Sequence, residues 1–560
     1  MKLHLFSLLT AFSILGTATV SFAADPRDWR ITQPVWTETH EQLFGEFIIR
    51  IGEAVEARKC SRVDTCLKSE VNPYYPTDPV GLKYYADCAD LPYYLRGYFA
   101  WKNGLPFSMV NQVKPIEGPA TPLKPSKDVR YSPYGNYVLS RYEALVKLQP
   151  DLPNVYPNAV KVLNYTIPGL TFSATYRMMG TDDTGLMSDF YPARLDRTGI
   201  RPGTVIYDPN GHVAIVYRVA DDGRVYYIDA HPDNSLTMGM FSPKFVRSAP
   251  GQGAGFKNFR PLALVDAVPD SAGDGWAGGK IVPAFNHQVH DMGIEQFYGT
   301  NPDPGGDWAK GKFSILGRNV NFYDYVRMKL TVGELHIDPI EDMNHIVDDI
   351  CVSVKDRVAS IESARAEGIY LKPHPVKLPE NIYGTQGEWE TYATPSRDAR
   401  LKVAFVDLLA NTVSNIERYK NKDSVIRYEG TNLAGDLLNI YLEKSQACQI
   451  TYTTTDNRSI TLNLEEVRER LFNMSFDPYH CIELRWGATS TEELASCTDD
   501  ANKRAWYDNE KYLRNQPERR FDVRMDYTLE ELANPIPGVG LETAPDIDVL
   551  SYLRQQVDWM

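Results

Sequence analysis

Two stretches of this chain carry residue types suited to covalent chemistry. In the first, Asp87-Cys88-Ala89-Asp90 opens a segment whose apolar residues fall at Leu91, Tyr94, Leu95, Tyr98 and Phe99, the spacing of one buried helical face. Cys88 is therefore expected at or just before a helix N-terminus, where unpaired N–H groups and the positive end of the helix dipole favour a thiolate. In the second, residues 203–208, 211–217 and 225–231 read as three consecutive strands joined by Pro209-Asn210-Gly211 and Asp221-Asp222-Gly223 turns. His212 opens the middle strand and Asp229 closes the third. Neighbouring strands would thus carry an imidazole base and a carboxylate to orient it, and the expected chemistry is attack by sulfur with acid–base help.

Several elements must position these groups. Residues 36–57 read as an amphipathic helix with Leu43, Phe47, Ile51 and Val55 on one face, and Asn103-Gly104-Leu105-Pro106 stops the cysteine helix. Between that stop and the strands lies an insertion, residues 107–200. Its first part, with Pro115, Pro119, Pro122, Pro125 and Pro133, reads as an irregular loop, and residues 135–149 read as helical. The insertion is either a cleft wall or surface padding. Residues 269–275 mark a domain boundary, 269–335 a connecting segment, and 336–560 a mainly helical domain with periodicity over 343–366, 396–418, 464–474 and 502–515. No catalytic spacing emerges from that half; Tyr479-His480-Cys481 with Glu483 and Arg485 reads as polar packing beside a disulfide.

Composition narrows the partners. Residues 1–23, with Lys2, an apolar run and Ser21-Phe22-Ala23, read as a cleaved secretory signal, giving a periplasmic or secreted chain with no later membrane span. Losing Lys2 moves the formal charge from −14 to −15, which argues against nucleic acid or an anionic membrane as partner. Export also places the seven cysteines where disulfides persist. Cys60 with Cys66 and Cys481 with Cys497 are sequence-local candidates, with Cys351 and Cys448 as a long-range pair and Cys88 left over, although six cysteines permit many connectivities. His287 with His290, and His336 with Asp338, lack a third ligand at a usable spacing, and Asp303 and Asp307 lack the alternating oxygens of a calcium loop. No metal or cofactor is expected.

Together the two stretches resemble the papain-like cysteine hydrolases, specifically the NlpC-type cell-wall endopeptidases and the transglutaminase-like branch, over residues 80–235. Asp87-Cys88 at the head of an apolar helix is similar to the NlpC-type nucleophile motif. Pro202-Gly203-Thr204-Val205-Ile206-Tyr207 followed by Gly211-His212-Val213 resembles their Gly-Asp and Gly-His-Val strands, with Thr204 in place of the usual acidic residue. The spacing from His212 to Asp229, Asp90 two after the cysteine, and Gly104-Leu105-Pro106 look more like the transglutaminase-like pattern.

This resemblance implies an α+β fold: a papain-like domain (24–268) with an antiparallel sheet and an N-terminal nucleophile helix, followed by the helical domain. It implies a Cys88-His212-Asp229 triad cleaving amide bonds, with peptide stems of the cell wall as substrate. Asp87, Asp90, His231, Tyr84 and Tyr85 are candidates to border the substrate, the tyrosines as oxyanion donors. Asp90 is equally a helix-start charge, and His231 a turn cap. A non-catalytic binding or scaffold protein, engaging a protein partner through its helical half, and an acyl transferase are the alternatives.

Overall fold

A computed structural model describes residues 25–559 except 119–126, 150–151, 181–185, 233, 384–386 and 520–522. The signal segment and the prolines at 119, 122 and 125 lie outside the described residues. The fold is mixed α and β with antiparallel sheets. Helices α1 (Glu38–Glu56) and α2 (Asp90–Lys102) precede a pair of antiparallel strands, β1 (Ser108–Pro115) and β2 (Asn136–Glu143). A six-stranded sheet follows, built from β3 (Phe190–Pro192), β4 (Val205–Asp208), β5 (His212–Val219), β6 (Val225–Ala230), β7 (Leu236–Met240) and β8 (Gly255–Phe259). Their spatial order is β3-β8-β4-β5-β6-β7.

Both faces of this sheet are covered, which is why β4 and the first six residues of β5 are buried without alternation. One face, with Val205, Tyr207, Val213, Ile215 and Ile228, packs on α1 and α2. The other, with Ile206, Ala214, Val216 and Tyr227, packs on α3 (Phe322–Leu330). At Gly52, α1 crosses β5 with no room for a methyl: an added Cβ would lie 2.1 Å from Tyr217 Cγ. Arg96 ties α2 to α1, making two bonds of 2.5 and 2.7 Å to the Glu41 carboxylate with its guanidinium 3.4 Å over Trp36.

The second half gathers α4 (Pro339–Ala366), α5 (Pro395–Lys420), α6 (Leu433–Ala447), α7 (Ala501–Asn509) and α8 (Val549–Trp559). Ile350, Val354, Phe405, Leu408 and Leu437 form its main core, and a smaller core collects Ile382, Trp389, Tyr479 and Trp506. Asp338 caps α4 by accepting from the N–H groups of Ile340 and Glu341, and His336 Nε2 lies 2.7 Å from Arg427. Charged pairs join the halves: Arg519 with Asp208, Lys244 with Asp349 at 2.6 Å, and Arg327 with Asp342 at 2.9 Å. No helix among the described residues is long and apolar enough to cross a membrane.

Cys60–Cys66, Cys351–Cys448 and Cys481–Cys497 are disulfides and Cys88 is free, as the spacing suggested. Four expectations are corrected. Residues 135–149 are not helical, because β2 pairs with β1 across a long loop, a non-local contact that local propensity does not register. Helix α2 is buried all round from Asp90 to Trp101 rather than on one face, since the insertion covers the side that α1 and the sheet leave open. On α1, Leu43 is exposed, and Phe44 and Ile48 join Phe47, Ile51 and Val55 in the core. Residues 269–335 are packed structure: Lys280–Pro283 pairs with β9 (Leu262–Val265), and α3 covers the sheet.

Candidate active site

Asp87 leads into α2. Its Oδ1 accepts the N–H groups of Ala89 and Asp90, both at 2.9 Å, and its carbonyl accepts that of Leu91 at 2.9 Å. Cys88 thus stands in the turn that leads into α2, and among the described residues its own N–H has no partner. Pro92, four residues on, has no N–H to give the Cys88 carbonyl. The insertion steadies this turn through Tyr176, whose hydroxyl donates to the Ala89 carbonyl at 2.7 Å, and Thr171, whose hydroxyl donates to Asp90 Oδ1 at 2.8 Å. Burial, with help from the neighbouring Asp87, lifts the Asp90 carboxyl to about 7.

His212 and Asp229 meet across two strands. Ile215 lies opposite Ile228, so Ala214 faces Asp229 and His212 is its diagonal neighbour on the same side of the sheet. His212 Nε2 is 2.7 Å from Asp229 Oδ2, which leaves Nδ1 for a second partner. The other Asp229 oxygen accepts from Thr237, whose hydroxyl is also 3.0 Å from His231 Nε2. Burial raises the Asp229 carboxyl, but the His212 bond and the adjacent imidazoles outweigh it and hold it well below the usual range. The β4–β5 turn that aims His212 is braced twice, by Arg177 donating to the Pro209 carbonyl at 2.7 Å and by the buried Arg519–Asp208 pair.

Cysteine and histidine approach from opposite faces of the sheet: α2 covers one, and the His212–Asp229 pair stands on the other. They come together where β5 begins. There Cys88 Sγ lies 4.0 Å from the Gly211 carbonyl and is approached by the Val213 N–H, and no hydrogen bond joins thiol to imidazole among the described residues. Burial pushes the thiol up, Asp87 adds to this, and Arg400 and the Val213 N–H oppose it. Burial and Arg400 push His212 down. The resting pair is therefore a neutral thiol and a neutral imidazole, not the ion pair that a helix start alone would favour.

Cys88, His212 and His231 border one cleft of about 220 Å³, together with Asp87. Tyr131 and Ser173 of the insertion form one wall, so that segment is a wall and not padding. The helical half forms the other, through Trp389, Arg397 and Arg400. Arg397 lies 4.0 Å from Asp356, whereas no carboxylate of the described residues pairs with Arg400. Tyr84 and Tyr85 do not reach the cleft: the Tyr84 hydroxyl donates to Asp78 and that of Tyr85 to the Pro232 carbonyl at 2.6 Å. Asp90 is buried beneath it. Arg400 and Trp389 escaped the sequence because a site wall separated from the nucleophile by some three hundred positions has no local signature. Its charge does not mark Arg400 out, because the start of α5 also carries Arg397 and Lys402.

No family model, no curated protein and no solved structure matches this chain. The chemistry must be read from the cleft. A free thiol and an imidazole with one ring nitrogen held by a carboxylate, with, among the described residues, an N–H without a partner in the turn before α2 and a guanidinium without a carboxylate, suit acyl chemistry on a substrate that carries an anionic group.

Proposed function

We propose that this protein is an exported thiol hydrolase that cleaves amide bonds in carboxylate-bearing peptides, the peptide stems of the cell wall being the substrate class. The observation that supports it is the convergence on one cleft of the chain's single free cysteine and a carboxylate-held histidine, beside the unpaired Arg400. Turning the Cys88 side chain from Gly211 towards His212 Nδ1 lets the ring take the thiol proton as sulfur attacks the carbonyl carbon. The Cys88 N–H then faces the developing oxyanion. The tetrahedral intermediate expels the amine, which takes the proton from His212, and water, activated by the same ring, releases the acid from the thioester. Arg400 holds the substrate carboxylate. Export is supported by the signal-like residues 1–23 and by three disulfides.

One observation favours a second reading, a non-catalytic binding protein with the same cleft: the thiol is held neutral and bonded to Gly211 rather than to His212. Incubating purified cell wall with wild type, Cys88→Ala and His212→Ala separates the two, with released amino groups counted and products weighed. Hydrolysis by the wild type alone supports the enzyme. Equal inactivity of all three, with Cys88 resisting electrophilic peptide probes, overturns it in favour of the binding protein.

A further inference from the structure

The helical half holds a second cluster that the cleft does not use. His374, Asp477, His480 and Glu510 have no exposed side-chain surface. His374 Nε2 is 2.6 Å from Asp477 Oδ2, and His480 Nε2 is 4.0 Å from that oxygen and 3.7 Å from Glu510 Oε2. The inward atoms of His374, Asp477 and Glu510 all lie within 4.8 Å of one another. Among the described residues, neither Glu510 oxygen nor His480 Nε2 has a hydrogen-bond partner, a costly arrangement for buried polar atoms.

The outer atoms explain what the inner ones are for. His374 Nδ1 is 2.6 Å from the Pro375 carbonyl, and His480 Nδ1 is 2.7 Å from Asp499 Oδ2. Asp477 Oδ1 accepts the Tyr479 N–H at 2.7 Å. Each imidazole thus has its Nδ1 fixed on an outward acceptor, which aims Nε2 inward towards two carboxylates. Two Nε2 atoms and two carboxylates thus face one another, joined only by the 2.6 Å His374–Asp477 contact, with both Glu510 oxygens left unbonded among the described residues.

We propose that His374, Asp477, His480 and Glu510 form a four-ligand site for a divalent metal, with zinc the best fit to two imidazoles and two carboxylates. Two carboxylates balance the ion's charge, and four protein ligands make the site closed and structural rather than catalytic. Ligands about 2.0–2.2 Å from a tetrahedral ion stand roughly 3.3 Å apart, so the His374–Asp477 contact opens and His480, which lies outside the 4.8 Å group, must move in towards the other three. The site would tie three separate segments together. Trp506 stacks on His374 at 4.1 Å and shares a core with Ile382 and Trp389, both of which border the cleft, so the metal would hold the cleft's outer wall in place.

The test uses the full exported chain without a polyhistidine tag, purified from zinc-supplemented medium, with metal content measured by mass spectrometry. About one equivalent of zinc is expected in wild type and in Cys88→Ala, falling below about a tenth in Glu510→Gln and His480→Gln. Less than about a tenth of an equivalent in wild type, even after dialysis against Zn²⁺, Co²⁺ and Mn²⁺, overturns the proposal, as does undiminished zinc in folded Glu510→Gln. Should the variants fail to fold, the Co²⁺ spectrum of the wild type decides. Visible tetrahedral bands without a thiolate-to-cobalt band support these four ligands; a thiolate band moves the metal to Cys88 and overturns the assignment.

Discussion

Two of the molecule's histidine–carboxylate constellations are tuned in opposite directions. In the cleft one imidazole, His212, is held by one carboxylate, Asp229, beside a cation, Arg400, and a sulfur. In the helical half two imidazoles sit among three carboxylates, Asp477, Asp499 and Glu510, sealed from solvent. Burial lowers both kinds of histidine, and the neighbours decide the outcome. Arg400 reinforces the fall of His212, whereas Asp499 and Glu510 overcome burial and lift His480 to about 9. A base ready to accept a proton needs its positive charge discouraged until the moment of reaction; a cage for a cation needs an excess of anions. The same pair of residue types is tuned oppositely by what stands behind it.

The sharpest way to break this contrast is to remove the cleft histidine. His212→Ala is expected to lower amide hydrolysis by about a thousandfold, roughly 4 kcal/mol of barrier, while leaving zinc content unchanged; turnover and metal analysis on one preparation check both. Arg519→Met leaves Asp208 buried and unpaired under the His212 turn, and is expected to cost about 3 kcal/mol in urea denaturation. Adding Asp208→Asn to it should recover part of that loss.

Smaller effects sharpen the comparison. Arg400→Gln is expected to raise KM for a carboxylate-bearing peptide by about tenfold. Because Arg400 lowers His212, the same variant should move the acid limb of the rate profile to higher pH; a limb that stays in place would show that His212 is not the base. Smallest is Asp90→Asn. The Asp90 carboxyl lies at about 7 in the folded chain against an ordinary 3.8, so between those values the folded state keeps a proton that the unfolded state has lost. Stability therefore falls as pH rises through that window, and the variant should be favoured over wild type more at about pH 7.5 than at about pH 5 in parallel urea titrations.

Much of the cleft's floor was legible because it is local. Strands 205–208, 212–219 and 225–230 follow from apolar runs between Asn-Gly and Asp-Gly turns, and the cysteine helix from its stop at Gly104. The disulfides followed from short spacings and one remainder. The walls were not legible, because β1 with β2, α3 over the sheet and Arg400 over Cys88 are contacts between distant positions, with no periodicity to announce them. The metal-like cluster shows the same limit. His480 stood out beside Cys481, but its partners His374 and Glu510 come from other segments, and folding alone brings them together. Nor did spacing reveal that Cys88 and His212 rise from opposite faces of one sheet.

The Arg519–Asp208 pair has a temporal meaning. A polypeptide is synthesised from its amino end, so sulfur, imidazole and carboxylate all exist long before the guanidinium that braces their turn. The cleft cannot settle into its final shape until almost the whole chain has been delivered. A fragment interrupted between residues 229 and 519 would carry all three groups without the brace of their turn.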